Sequence, residues 1–97
     1  MSVMIALEMP VKPDMLEDYL AILKGALVET RSYKGCISVI TLVDQKTSSV
    51  LLIEEWDSTE DQEAYMAWRV ETGLIEAISP FMQGQLVTRT FDLKIEI

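Results

Sequence analysis

The sequence predicts an α+β protein of the ferredoxin-like kind, a split β-α-β-β-α-β chain whose two helices cover one face of a four-stranded antiparallel sheet. Short apolar segments with strand character alternate with stretches whose apolar residues recur at spacings of three and four. The two middle strands are separated only by a short polar run, so they pair as a hairpin. The length, 97 residues, is that of one domain, so 1–97 is read as a single unit with one site per subunit.

The first strand is Val3-Met4-Ile5-Ala6-Leu7-Glu8-Met9, apolar on both parities and ended by Pro10. Pro13 opens a helix where a first turn tolerates it, with Asp14 and Glu17 at the positive end of the dipole. Leu16, Tyr19, Leu20, Leu23 and Leu27 draw one stripe along it, and Gly35 is the stop. Strands Cys36 to Val43 and Ser49 to Trp56 follow, joined by Asp44-Gln45-Lys46-Thr47-Ser48. Ser58 N-caps a second helix over Thr59 to Val70, with Ala64, Tyr65 and Trp68 on its inner face. Gly73 interrupts it, and Leu74 to Ile78 is a further helical piece closed by Pro80. The segment from Gln85 to Ile97 reads as a long last strand, with Phe91, Leu93, Ile95 and Ile97 alternating with Asp92, Lys94 and Glu96.

Apolar residues make up 49% of the chain, and mean hydropathy is +0.21, high for a domain with so much surface per residue. Strands one and three carry apolar residues on the sheet face that the helices leave open, so a homodimer packed through that face is expected. The net charge of −8, with no run of Lys or Arg, argues against nucleic acid or an anionic membrane as partner. No apolar stretch reaches the length of a membrane span, and Met1-Ser2-Val3-Met4 lacks the basic flank of a signal peptide, so a cytoplasmic location is expected. The single cysteine, Cys36, reads as a buried, inert thiol. With no histidine anywhere, Ser-His-Asp and Cys-His catalysis, Cys/His zinc sites and the usual heme ligand are all excluded. The methionines are too scattered for a metal site, and no glycine-rich phosphate loop supports a nicotinamide or flavin, so no cofactor is expected.

Three stretches together carry a resemblance. Val11-Lys12-Pro13-Asp14, then Glu29-Thr30-Arg31-Ser32-Tyr33-Lys34-Gly35-Cys36, then Ile53-Glu54-Glu55-Trp56-Asp57-Ser58-Thr59-Glu60 look like the antibiotic biosynthesis monooxygenase (ABM) family. The resemblance spans nearly the whole chain. It implies a dimeric α/β barrel with a cavity between sheet and helices in each subunit, where some members oxidise polycyclic phenols to quinones with molecular oxygen and no added cofactor. Other relatives degrade heme or isomerise small signalling molecules, so the family does not fix the reaction.

The departures are specific. Many members carry a second helix with Ala-His and another His five residues on; here Trp68 follows Ala67, and Gly73 stands at the later place. Heme-degrading relatives match at Trp68, but their strand-one asparagine falls at Leu7 and their ligand histidine near Ile78, which argues against heme degradation. Some quinone-forming relatives pair a helix tryptophan and a late-strand arginine, which Trp68 and Arg89 supply, with an asparagine one turn earlier, where this chain has Ala64.

The candidate site residues are therefore Trp68, Arg89 and Tyr65. The Trp68 indole can stack on an aromatic substrate and its N–H can hold an oxygen; as a large apolar side chain on an inner helix face it is also a core residue. Arg89 can bind a carboxylate or oxyanion, or pair with Glu54 or Glu55 on a neighbouring strand. Tyr65 can donate a phenolic hydrogen bond into the cavity, although helical spacing alone accounts for it. Glu54 and Glu55 are consecutive, so only one can face the cavity; if buried, it has a raised pKa and is the candidate general base. The expected function is a cofactor-independent monooxygenase-like enzyme for a small hydrophobic or aromatic molecule. The rival is a dimeric ligand-binding or interaction module without turnover.

Overall fold

A computed structural model describes residues 2–97. Strand β1 (Val3–Pro10) is followed by a 3₁₀ turn (Pro13–Met15), helix α1 (Leu16–Ser32) and the hairpin of β2 (Cys36–Asp44) and β3 (Ser49–Trp56). Helix α2 (Thr59–Glu71), the short α3 (Leu74–Ile78) and a second 3₁₀ turn (Ser79–Phe81) lead to β4 (Val87–Asp92). The strands form one antiparallel sheet in the order β2-β3-β1-β4, the split β-α-β-β-α-β arrangement expected from sequence.

Register settles which side chains face the helices. Ile5, Leu7 and Met9 are buried at 1%, 7% and 2% exposure, so the odd positions of β1 point inward. Opposite them on β3, Glu54, Leu52 and Val50 point inward too, and Val39 of β2 lies across from Glu54. Residues directly across a ladder share a face, so Ala6, Glu8, Leu51 and Ile53 lie on the other side of the sheet. That side also carries the exposed Ile40, Leu42, Val87 and Phe91.

Helix α1 buries Leu16, Tyr19, Leu23, Leu27 and Thr30 against the inner face, continuing the expected stripe by one further turn. The phenol of Tyr19 donates to the Met9 sulfur at 3.1 Å, and burial pushes its pKa up to about 12. The hairpin loop is an Asx-type turn: Asp44 Oδ1 accepts from the Lys46 and Thr47 amides, which leaves Ser48 at φ 61°. Ser58 caps α2 as expected, its hydroxyl accepting from the Asp61 amide at 3.1 Å.

Two elements differ from the sequence reading by more than a residue. Pro13 starts a 3₁₀ turn, and the α-helix proper begins at Leu16. The last strand is β4, six residues long, not the span to Ile97. Asp92 pairs with Val3, the first residue of β1, so later residues have no ladder partner in the protomer and their alternation alone cannot hold a strand. Ile95 and Ile97 are 80% and 99% exposed.

Gly35 sets the approach of α2 to the α1–β2 turn. Its φ is +90°, and a methyl added there would lie 2.5 Å from the Asp61 Cβ. Gly35→Ala is expected to destabilise the fold by about 1–3 kcal/mol. Urea unfolding reads this as a lower midpoint, and an unchanged midpoint would refute the packing account.

Candidate functional site

Between the inner sheet face and the helices lies a cavity of about 210 Å³. Its walls are mostly apolar: Leu7, Met9 and Leu52 from the sheet, Leu23 and Leu27 from α1, Ile78 from α3. Polar side chains interrupt them, among them Glu54, Thr30, Tyr65 and Arg69.

Glu54 is 2% exposed, with Ile5 beside it on β1 and Val39 on β2. Trp56, two residues along the same strand and hence on the same face, donates its indole N–H to one carboxylate oxygen at 2.8 Å. Burial raises the Glu54 pKa above the ordinary carboxylate range, and the Trp56 hydrogen bond opposes part of that rise. Of the two consecutive glutamates, Glu54 is thus the one at the cavity. Glu55 lies on the opposite face, where Ser2 donates to it at 2.7 Å. Burial also raises the Cys36 pKa, with the Glu54 charge adding to the effect and the Arg31 charge opposing it; the thiol is half-buried rather than buried as the sequence suggested.

Tyr65 is 6% exposed and lines the cavity. Its ring packs 5.2 Å from that of Trp56, centroid to centroid, and edge-on to Tyr33 at 5.2 Å. Its oxygen accepts from Arg69 Nε at 2.7 Å and lies 2.6 Å from the Thr30 hydroxyl. Arg69 also donates through Nη2 to the Ala26 carbonyl at 2.8 Å and sits 3.7 Å from Glu29 through Nη1.

Trp68 is not part of the cavity wall. The helix turns about 100° per residue, so Tyr65 and Arg69 share the inner face of α2, and Trp68 is carried to its flank. There it stacks on Tyr33 at 5.4 Å with the rings 27° apart, and the Arg69 guanidinium lies 4.8 Å above it. Arg89 is further removed. It faces Ala6 across the ladder and so belongs to the open side of the sheet, away from the cavity, with its guanidinium 4.9 Å over Phe91. Neither expected glutamate pairs with it. Of the three sequence candidates, only Tyr65 reaches the cavity.

Thr30 and Arg69 escaped the sequence reading because a polar residue in a helix is normally solvated. The faint signal was spacing: Arg69 lies four residues after Tyr65, one turn on the same face. Among the described residues no group of three or more Cys, Asp or Glu side chains converges into a cation cage, and no helix is long and apolar enough to cross a membrane.

No curated protein matches the chain at a significant level. Among solved structures, a conserved protein from Methanosarcina mazei Go1 superposes with TM-score 0.83 at 15% identity, over 96% of this chain and 93% of that one. A structure described as an antibiotic biosynthesis monooxygenase gives TM-score 0.82 at 20% identity, over 95% and 98%. A monooxygenase of Streptomyces coelicolor, solved with the ligand nanaomycin D, gives 0.81 at 19% identity, over 99% and 90%. At these identities the likeness establishes the fold. The sequence model of the antibiotic biosynthesis monooxygenase family matches residues 2–73, well over half of the sequence, and the chain belongs to that family.

Proposed function

We propose that the protein is a cofactor-independent monooxygenase-like enzyme that oxidises a small phenolic aromatic molecule held in the cavity, with the Glu54 carboxylate as the base. The observation that carries this reading is a buried carboxyl group at the wall of an apolar cavity, held by an indole N–H on one oxygen. In a chain without histidine, a buried carboxyl group whose pKa is raised by that burial is the available proton acceptor. Transfer of a phenolic proton to Glu54 leaves an electron-rich phenolate that can itself reduce dioxygen. In the overall reaction the phenolic O–H, a ring C–H and O₂ give a quinone and water. The protein supplies desolvation, deprotonation and orientation.

The size of the cavity bears on the substrate. A cavity of about 210 Å³ with mostly apolar walls suits a small aromatic molecule. The reading includes a homodimer formed through the open face, supported by the exposed Ile40, Leu42, Val87 and Phe91, and a cytoplasmic location, in keeping with one unpaired thiol. Trp68 and Arg89 then act outside the cavity, Trp68 by stiffening the helix that carries Tyr65.

A rival reading, a ligand-binding module without turnover, draws on the Arg69 guanidinium being engaged by Tyr65, Ala26 and Glu29, which leaves it poorly placed to hold a developing oxyanion. Oxygen uptake with a panel of naphthols, naphthohydroquinones and anthrones separates the two. The enzyme reading expects uptake above the uncatalysed rate. Thermal stabilisation by these ligands with uptake at background would establish the module.

A further inference from the structure

Helices α1 and α2 meet at the Tyr65 hydroxyl, and its proton has two possible directions. Arg69 can only donate, so its Nε–H at 2.7 Å makes the Tyr65 oxygen an acceptor. The Thr30 hydroxyl lies 2.6 Å from the same oxygen, and either group can be the donor of that bond. When Tyr65 donates to Thr30, Thr30 turns its own proton to the Ala26 carbonyl at 3.4 Å. When Thr30 donates to Tyr65, the phenolic O–H is released. The reversal gives up only that long 3.4 Å contact, because the Ala26 carbonyl still accepts from Arg69 Nη2 at 2.8 Å. Thr30 and Tyr65 are 1% and 6% exposed and both line the cavity, so bulk water is a poor competitor for the freed proton.

We propose that Tyr65 donates a hydrogen bond to an oxygen acceptor on the bound ligand, a carbonyl or phenolate oxygen, and that Thr30 is the positioning residue whose hydroxyl reverses to release it. The proposal rests on the reading that the cavity takes an oxygenated aromatic molecule, and it adds a second polar contact to the one at Glu54. A ligand suited to both offers one O–H and one oxygen acceptor.

Dissociation constants of 1-tetralone and tetralin, a ketone and its hydrocarbon of nearly equal size, test this in the wild type, Tyr65→Phe and Thr30→Val. Tetralin is expected to bind all three within about threefold. The ketone-to-hydrocarbon affinity ratio is expected to fall about tenfold in Tyr65→Phe and to persist in Thr30→Val, where the phenol has lost its competing acceptor. A second readout is the ¹³Cζ resonance of Tyr65, expected to move with tetralone and not with tetralin. A ratio unchanged in Tyr65→Phe, or a resonance indifferent to the ketone, overturns the proposal while leaving the cavity reading intact. Failure of both probes to bind the wild type overturns the cavity reading and this proposal with it.

Discussion

Glu54→Gln is expected to lower turnover of a bicyclic phenol by at least about a hundredfold while leaving its binding within a few-fold of wild type. Gln keeps the shape of the side chain and can still accept from the Trp56 indole, so the 2.8 Å contact and the cavity wall survive. What disappears is the group that takes the proton, and general-base contributions are typically 10²–10⁴-fold. The pH profile supplies a second check. In the wild type the rate should rise with pH through the Glu54 titration, displaced above the ordinary carboxylate range by burial, and this limb should be absent from the variant. A variant that retains both wild-type turnover and the pH limb would rule out Glu54 as the base.

The same titration links to stability, with a defined sign. The folded-state pKa of Glu54 lies above its unfolded value, so the native state binds more protons than the unfolded chain between the two. The Glu54 contribution to stability is fully present below the unfolded pKa and is lost as pH rises through the folded pKa. Glu54→Gln should therefore gain stability relative to wild type on the alkaline side of that window, as followed by urea midpoints across pH.

Trp56→Ala is expected to cost about 3–5 kcal/mol, the largest stability effect of any change considered. The side chain is 0% exposed and packs with Ile5 and Tyr65 beneath α2. In a domain of this size each kcal/mol corresponds to roughly 4–8 °C, so a fall in melting temperature on the order of 15 °C or more is expected. Trp56→Phe separates packing from hydrogen bonding. It retains most of the ring but removes the N–H that offsets part of the Glu54 shift, so the Glu54 titration should move further upward. If Trp56→Phe leaves that titration where it was, the indole does not tune the carboxyl group.

Patterning along the chain was enough to determine the fold. Stripes of three and four, a short polar hairpin loop, the Ser58 cap and three proline punctuations each report local backbone preference, and all agree on one topology. That Glu54 or Glu55 would face inward also followed from sequence, because adjacent strand residues alternate. Which of the two, however, depended on ladder register: Glu54 is opposite Ile5, and only pairing across strands says so. Register likewise put Arg89 opposite Ala6 on the far face. The rotation of α2 decided between Trp68 and Arg69, since a hydrophobic count favours the tryptophan, whereas packing buried the arginine stem and tied its head to Tyr65 and the Ala26 carbonyl. The last strand stopped at Asp92 because a strand needs a neighbour, and alternation in one segment carries no information about where its partner ends. Composition and local spacing thus determined the architecture and its lack of histidine chemistry; the polar lining of the cavity, drawn from α1, β3 and α2, came into being only when long-range pairing brought Thr30, Glu54, Tyr65 and Arg69 around one space.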